Sequence, residues 1–380
     1  LKESKFYFEV PEKPVKMKYL FLAVLFCTSC SLFEDEPLSE ASALPYLRQA
    51  NNIGGILGFN PSYSEATLDS FELAWEGLKN AGMSIGRSQL DWAELEPSDG
   101  EYNTAKFEEI LSDLSSDGLQ TFLTLAVYDS EGPVLPDFLE GRAMDDAIMI
   151  EKFSKLMDWL VPMMASYGGW AIAISNEPGN AYGEDDDLDD QMLVFTEAIR
   201  DHIHSIDSKM AVSVALNRGN LQDHKGKLKK LLKLCDFTCW NLYGAGLPGL
   251  DQDYDSEDNE NHFEEILDFS DRKQVVIHEL GMHVDPELNS SEERQRAFFQ
   301  QFFEFMEREE SVRAAYQFTL VDWSDEVIQI FNDLYEDETP QWFVDQFAAI
   351  LKSLGVINFE TGESRTGLQE ITKWCEKFKE

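Results

Sequence analysis

Basic residues are scarce in this chain: 31 Lys and Arg stand against 72 Asp and Glu, a formal charge of -41 over 380 residues. Nucleic acid and anionic membrane surfaces are met by Lys and Arg, so the imbalance argues against both as direct partners. Without a local basic patch it also argues against polyanionic sugars. No phosphate loop follows an early strand candidate, because Gly54, Gly55 and Gly58 do not spell G-x-G-x-x-G. No Cys/His spacing points to structural zinc. What the chain does have is apolar material, 43% hydrophobic and 12% aromatic residues, enough for a large packed core. That composition excludes disorder of the whole chain. The length allows two or three ordinary domains, or one large barrel.

The apolar run at residues 19–27 is too short to span a bilayer as a helix, which needs about 20 residues. With Lys18 before it and Thr28-Ser29-Cys30 after it, the run has the shape of an export signal. Small residues before Cys30 resemble a bacterial lipoprotein cleavage site, with Cys27 where Leu is usual. Residues 1–16 precede a start at Met17 and read as an over-extended gene start. The expected organisation is a lipoprotein signal peptide at 17–29, an acidic tether at 30–45 with lipidated Cys30, and one catalytic domain at 46–380. The expected location is the cell envelope, at the outer membrane or cell surface, with contact to the membrane only through the lipid.

Processing would leave Cys235, Cys239 and Cys375. Four residue steps of extended chain from the first to the second span about 13 Å, beyond disulfide reach. Buried free thiols are expected.

From residue 50 onward, apolar runs alternate with amphipathic stretches. Strand candidates are 53–59, 83–87, 121–127, 170–175, 210–216, 237–242, 274–278 and 314–320. Helix candidates between and after them are 64–80, 104–117, 148–167, 191–206, 225–234, 262–269 and 291–310, then 342–354 and 367–378. The strand runs are almost continuously apolar, as in parallel strands buried on both faces. Eight such alternations predict an α/β fold, a single (β/α)8 TIM barrel. An open doubly wound sheet is the competitor, and it would show the missing phosphate loop.

Barrel chemistry sits at the carboxyl ends of the strands. The fourth candidate ends in Ser175-Asn176-Glu177-Pro178 and the seventh in His278-Glu279-Leu280-Gly281. A glutamate directly after an apolar strand is costly unless it lines a cleft. Strands four and seven are placed to face each other across the barrel mouth. Two carboxyls about 5–5.5 Å apart are what a retaining glycosidase uses.

These motifs resemble clan A of the glycoside hydrolases, over a stretch from Ile53 to the C-terminus. The resemblance implies Glu177 as the general acid/base, Glu279 as the nucleophile and Asn176 as the partner of the sugar 2-hydroxyl. Arg87 and Trp92 are similar to a family 5 pattern in which the Arg orients the nucleophile. Glu96-Pro97-x-x-Gly100-x-Tyr102 resembles the second βα loop of several clan families. Tyr243 matches a tyrosine that bonds the nucleophile, and Trp323 an aromatic platform under the sugar. The segment Arg87 to Tyr102, with Trp170 to Glu177, also resembles the β-galactosidase-like family 42. Two departures stand out: Ala126-Val127-Tyr128 replaces a usual His after strand three, and Asn241-x-Tyr243 replaces His-x-Tyr after strand six. With Arg87 and Tyr243 beside it, Glu279 is expected to be the ionised partner and Glu177 the protonated one.

Other readings are weaker. His278-Glu279-x-x-x-His283 has the wrong spacing for a zinc protease. Asp251-x-Asp253-x-Asp255 begins like a calcium loop, but Ser256 and His262 occupy the required Gly and Glu positions. The acidic runs 184–190 and 251–260 read as solvated loops rimming the mouth. The expectation is therefore a monomeric enzyme without cofactor or metal, hydrolysing a neutral oligo- or polysaccharide. Endo-acting cleavage of a β-1,4-linked polymer, cellulase or mannanase type, is set first. An exo-acting β-galactosidase-like enzyme and an inactive glycan-binding barrel are the alternatives.

Overall fold

The computed structural model describes residues 44, 47, 49–56, 65–130, 132–182, 187–244, 256–271, 273–329 and 340–380. The export segment with Cys30 lies outside them, as do Asp251, Asp253 and Asp255. Eight parallel strands close into a barrel: β1 (Asn52–Ile56), β2 (Ile85–Asp91), β3 (Gln120–Ala126), β4 (Ala171–Asn176), β5 (Ala211–Asn217), β6 (Thr238–Tyr243), β7 (Val275–Gly281) and β8 (Val312–Gln317). Each pairs with its sequence neighbours, and β8 pairs with β1 to close the ring. The helices outside are α1 (Glu65–Ala81), α2 (Thr104–Ser116), α3 (Ala147–Ser166), α4 (Leu188–Ile206), α5 (Leu221–Leu234), α6 (Ser256–Phe269), α7 (Glu292–Arg308), α8 (Gln341–Leu351) and α9 (Thr366–Lys379). The C-terminal α9 packs between α7 and α1 and completes the outer layer. The (β/α)8 expectation holds.

Two apolar clusters account for the architecture. One lies between strands and helices, including Trp92, Phe153, Phe195, Trp240, Phe299 and Trp374. The other fills the barrel, where Phe122, Trp170, Phe237 and Tyr316 crowd together with ring centroids 5.3–5.9 Å apart. Ala173, Ala211, Ala215 and Ala314 make room for these rings. Large rings set against small residues let one layer of side chains fill the barrel. Cys235, Cys239 and Cys375 are buried free thiols, as expected.

Parts of both acidic runs are helical. Asp189 and Asp190 lie in the first turn of α4, and α6 begins at Ser256. Carboxylates suit a helix N-terminus because of its partial positive charge, so the acidity that read as solvated loop extends both helices toward their starts. Asp189 also pairs with Lys227 at 2.9 Å.

Candidate active site

Glu177 and Glu279 both lie buried at carboxyl ends of barrel strands. A bulge precedes each. On β7, Ile277 pairs with Trp240 and Glu279 with Asn241, leaving His278 as the extra residue. On β4, Ala173 pairs with Ser213 but Asn176 with Ala215. A bulge re-aims the following side chain. This allows His278 and Glu279, adjacent in sequence, both to contact Arg87. Beyond the second bulge, Glu177 adopts a left-handed conformation, φ 51° and ψ 38°, with its N–H on Ala215 O at 2.8 Å. That backbone is uncommon for a residue with a side chain. It turns the chain sharply from β4 into the short helix Pro178–Ala181.

Around Glu279 the expected partners are in place. Arg87 is fully buried and donates from NH1 and NH2 to Oε1 at 3.3 and 3.2 Å. The Tyr243 hydroxyl donates to Oε2. Burial and the adjacent glutamate hold the Tyr243 phenol well above its ordinary value, so it stays a donor. The expected ionisation is corrected in one respect. Burial is the largest influence on Glu279 and outweighs Arg87 and Tyr243, so its carboxyl is pushed up to about 7. The charges of Glu177 and Asp129 push the same way.

Among the described residues, Glu177 has neutral donors only. Asn241 Nδ2 reaches Oε1 at 2.7 Å, while Ser130 Oγ and Asn180 Nδ2 reach Oε2 at 2.7 and 3.1 Å. Asn241, noted above as a departure from His-x-Tyr, is thus a direct partner of the candidate acid/base.

Behind both glutamates runs a ring of side chains. Arg87 NH2 donates to Gln89 Oε1 (3.1 Å), and Gln89 Nε2 to Asp129 Oδ2 (2.8 Å). Asn176 Nδ2 donates to Asp129 Oδ1 (2.9 Å), and Asn241 Nδ2 to Asn176 Oδ1 (3.1 Å). His278 closes it, with Nδ1 2.8 Å from Asn241 Oδ1 and 2.5 Å from Arg87 NH1. Burial and then Arg87 hold this imidazole well below its usual value, so it is neutral.

Gln89, Asp129, Ser130, Asn180 and His278 were not singled out as site residues from the sequence. Asp129 and Ser130 sit in a small hairpin, Tyr128–Asp129 against Gly132–Pro133, just past β3. The noted departure at Ala126-Val127-Tyr128 ends one residue short of Asp129.

Not every matched residue reaches the glutamates. Trp323 is 7% exposed and meets Phe318, which in turn packs edge-on against Tyr243. Trp92 is fully buried against Phe153 and donates from Nε1 to Glu96 at 2.8 Å. Glu96 also accepts from the Gly100 N–H, and Tyr102 stacks on Trp159. That part of the second loop is scaffold. Gly281 has a packing reason: a Cβ there would lie 2.7 Å from Phe318 O. His283 is buried and accepts from the Asp285 N–H in the turn after β7.

No protein-family model matches the chain, and no curated protein matches it in sequence. Solved structures do match in three dimensions. An exo-β-1,4-mannosidase from Opitutaceae bacterium strain TAV5 superposes with TM-score 0.64 at 14% identity, over 89% of this chain and 62% of that one. This chain therefore spans less than two thirds of that enzyme. A GH5_18 variant from Bifidobacterium longum subsp. longum, in complex with Manβ1-4GlcNAc, gives 0.63 at 14% identity, over 86% and 78%. A β-glucosidase gives 0.57 at 14% identity, over 85% and 90%. In fold, the resemblance to the clan A hydrolases holds. Identities this low establish the barrel and leave chemistry to be argued from the residues themselves.

Proposed function

We propose that this chain is a retaining β-glycosidase acting on a neutral β-linked glycan. The observation that carries the reading is the unequal setting of two buried strand-end glutamates. Glu279 has a cation and a phenol on its two oxygens, whereas among the described residues Glu177 has only neutral donors.

In this reading the ionised Glu279 attacks the anomeric carbon from the face opposite the aglycone. Arg87 holds Oε1 of Glu279 and Tyr243 holds its Oε2. Glu177 gives its proton to the departing oxygen. Water, deprotonated by Glu177, then cleaves the glycosyl ester, and two inversions give net retention. Asn176 bonds the 2-hydroxyl, a contact that strengthens as positive charge develops at the ring. Trp323, which meets Tyr243 by way of Phe318, has its role as an aromatic wall from the resemblance alone.

An exo-mannosidase and a β-glucosidase among the neighbours favour exo action over the endo-acting cleavage set first. The test is a proton NMR time course on β-mannosides, β-glucosides and their oligomers. A first-formed β-hemiacetal supports the reading, whereas a first-formed α-anomer, or no turnover with any neutral glycoside, overturns it. Monosaccharide release from one chain end supports exo action.

We also propose that the chain is exported and tethered by a lipid on Cys30, because residues 17–30 have the shape of a lipoprotein signal. Cys30→Ser should move the protein out of the membrane fraction. Unchanged membrane association would rule this anchor out.

A further inference from the structure

The ring behind the glutamates contains one group that accepts only. Arg87 can only donate, and the Asp129 carboxylate can only accept. Between Asp129 and Glu177 lie two side-chain amides whose orientation is not fixed by shape, since an amide oxygen and nitrogen are nearly the same size. Charge fixes it instead. Asn176 must turn Nδ2 toward Asp129 Oδ1, 2.9 Å away. Its oxygen then faces Asn241, which must answer with Nδ2 at 3.1 Å. The same Nδ2 reaches Glu177 at 2.7 Å. Turning either amide over would set oxygen against oxygen or N–H against N–H inside a buried network, where an unmade hydrogen bond is costly. Asp129 is itself held from three sides, by Gln89 Nε2 (2.8 Å), the Ser130 N–H (2.7 Å) and Asn176.

We propose that Asp129 is a positioning residue for the reaction: it fixes the Asn176 amide so that an N–H, and not the carbonyl, is offered to the 2-hydroxyl of the glycone. This rests on the glycosidase reading above. A primary amide has two N–H groups. Among the described residues Asn176 Nδ2 reaches one acceptor, Asp129, which leaves its second N–H for the sugar. The same fixed order keeps the Asn241 N–H on Glu177. Asp129 would act through both neighbours without touching the scissile bond.

The experiment compares an aryl β-glycoside with its 2-deoxy analogue in wild type, Asp129→Ala and Asp129→Asn. In wild type, deleting the 2-hydroxyl should lower kcat/KM by about a hundredfold or more, because that contact is made mainly in the transition state. In Asp129→Ala the penalty should shrink below about tenfold, since the hydroxyl no longer has a positioned donor. Asp129→Asn keeps a neutral acceptor and the hairpin bond to Ser130, and should fall between. A merely structural role would slow both substrates alike and keep the wild-type ratio, which overturns the proposal. A readout independent of turnover is the side-chain amide resonance of Asn176 by 15N NMR, assigned with Asn176→Ala. One of its two protons should move upfield when Asp129 is replaced by Ala, and an unmoved pair also overturns the proposal. A wild type without activity on any glycoside, but with the amide shift present, would support the Asp129 contact and sink only the glycosidase reading.

Discussion

Asn241 Nδ2 donates to Glu177 Oε1 at 2.7 Å, from a strand that also carries the Tyr243 hydroxyl to Glu279. β6 therefore supplies one partner to each glutamate. Replacing Asn241 with Asp sets a second carboxylate against Glu177 and removes its N–H donor. Loss of a positioned donor at a reacting group costs about 10²–10³ in rate. Asn241→Asp is expected to lose at least that in kcat/KM on glycosides with poor leaving groups. It should lose less where the aglycone departs without a proton. Steady-state kinetics across aryl glycosides of graded leaving-group pKa checks this, and an even loss across the series would separate Asn241 from the acid/base step.

The raised pKa of Glu279, about 7, makes an unusual pH dependence. In the proposed mechanism Glu279 must be ionised to attack, so kcat/KM should fall as pH drops below about 7, well above the ordinary carboxyl value of 4.5. Stability moves in the opposite sense. Folding raises this pKa, so the folded state binds the proton more tightly than the unfolded one. The penalty is absent below 4.5, grows as pH rises from 4.5 to about 7, and is complete above that. Glu279→Gln should therefore melt higher than wild type at pH 8, with the gain vanishing at pH 4. Equal melting differences at the two pH values would contradict the raised pKa.

Much of this was legible in the sequence. The apolar runs marked all eight strands because a barrel strand buries both faces and leaves little room for polar residues. β2 was misjudged as 83–87, whereas it runs Ile85–Asp91. Its last residues, including Gln89 and Asp91, are polar, and Gln89 belongs to the hydrogen-bond ring. A rule that seeks apolar runs stops where the candidate site residues begin. The two glutamates were found because each follows such a run directly. The bulges at β4 and β7 left no mark, since a bulge is a register change and not a residue type. Asp129 and Ser130 were missed for a related reason: a two-residue hairpin past β3 carries them to Asn176 and Glu177, and neither lies in a periodic segment.

The segment after β8 is anchored by a buried ion pair. Arg365 reaches both oxygens of Asp322, at 2.6 and 2.5 Å, and also donates to Gly355 O. Asp322 precedes Trp323, whose N–H bonds Leu351 O at 3.2 Å. Removing one partner of a buried pair leaves the other charge uncompensated, a loss of about 3–5 kcal/mol. Arg365→Ala is expected to destabilise by that amount in urea titration. A loss below about 1 kcal/mol, the range of a surface pair, would show that the pair is solvated in solution.

The division of labour between the glutamates is open to chemical rescue. On the proposed mechanism, removing the Glu279 side chain removes the nucleophile and leaves a cavity on the face opposite the aglycone. Azide entering that cavity attacks once, so Glu279→Ala should turn an activated β-glycoside into the α-glycosyl azide. Without Glu177, a substrate with a good leaving group still forms the ester on Glu279. That ester then waits for a base to activate water. Azide needs no base, so Glu177→Ala should accumulate the β-glycosyl azide, the product of two inversions. Both variants should be slowed by several orders of magnitude on substrates with poor leaving groups. The anomeric coupling constant of each azide product decides the assignment. Opposite stereochemistry in the two variants would exchange the roles, placing the acid/base beside Arg87 and the nucleophile beside Asn241.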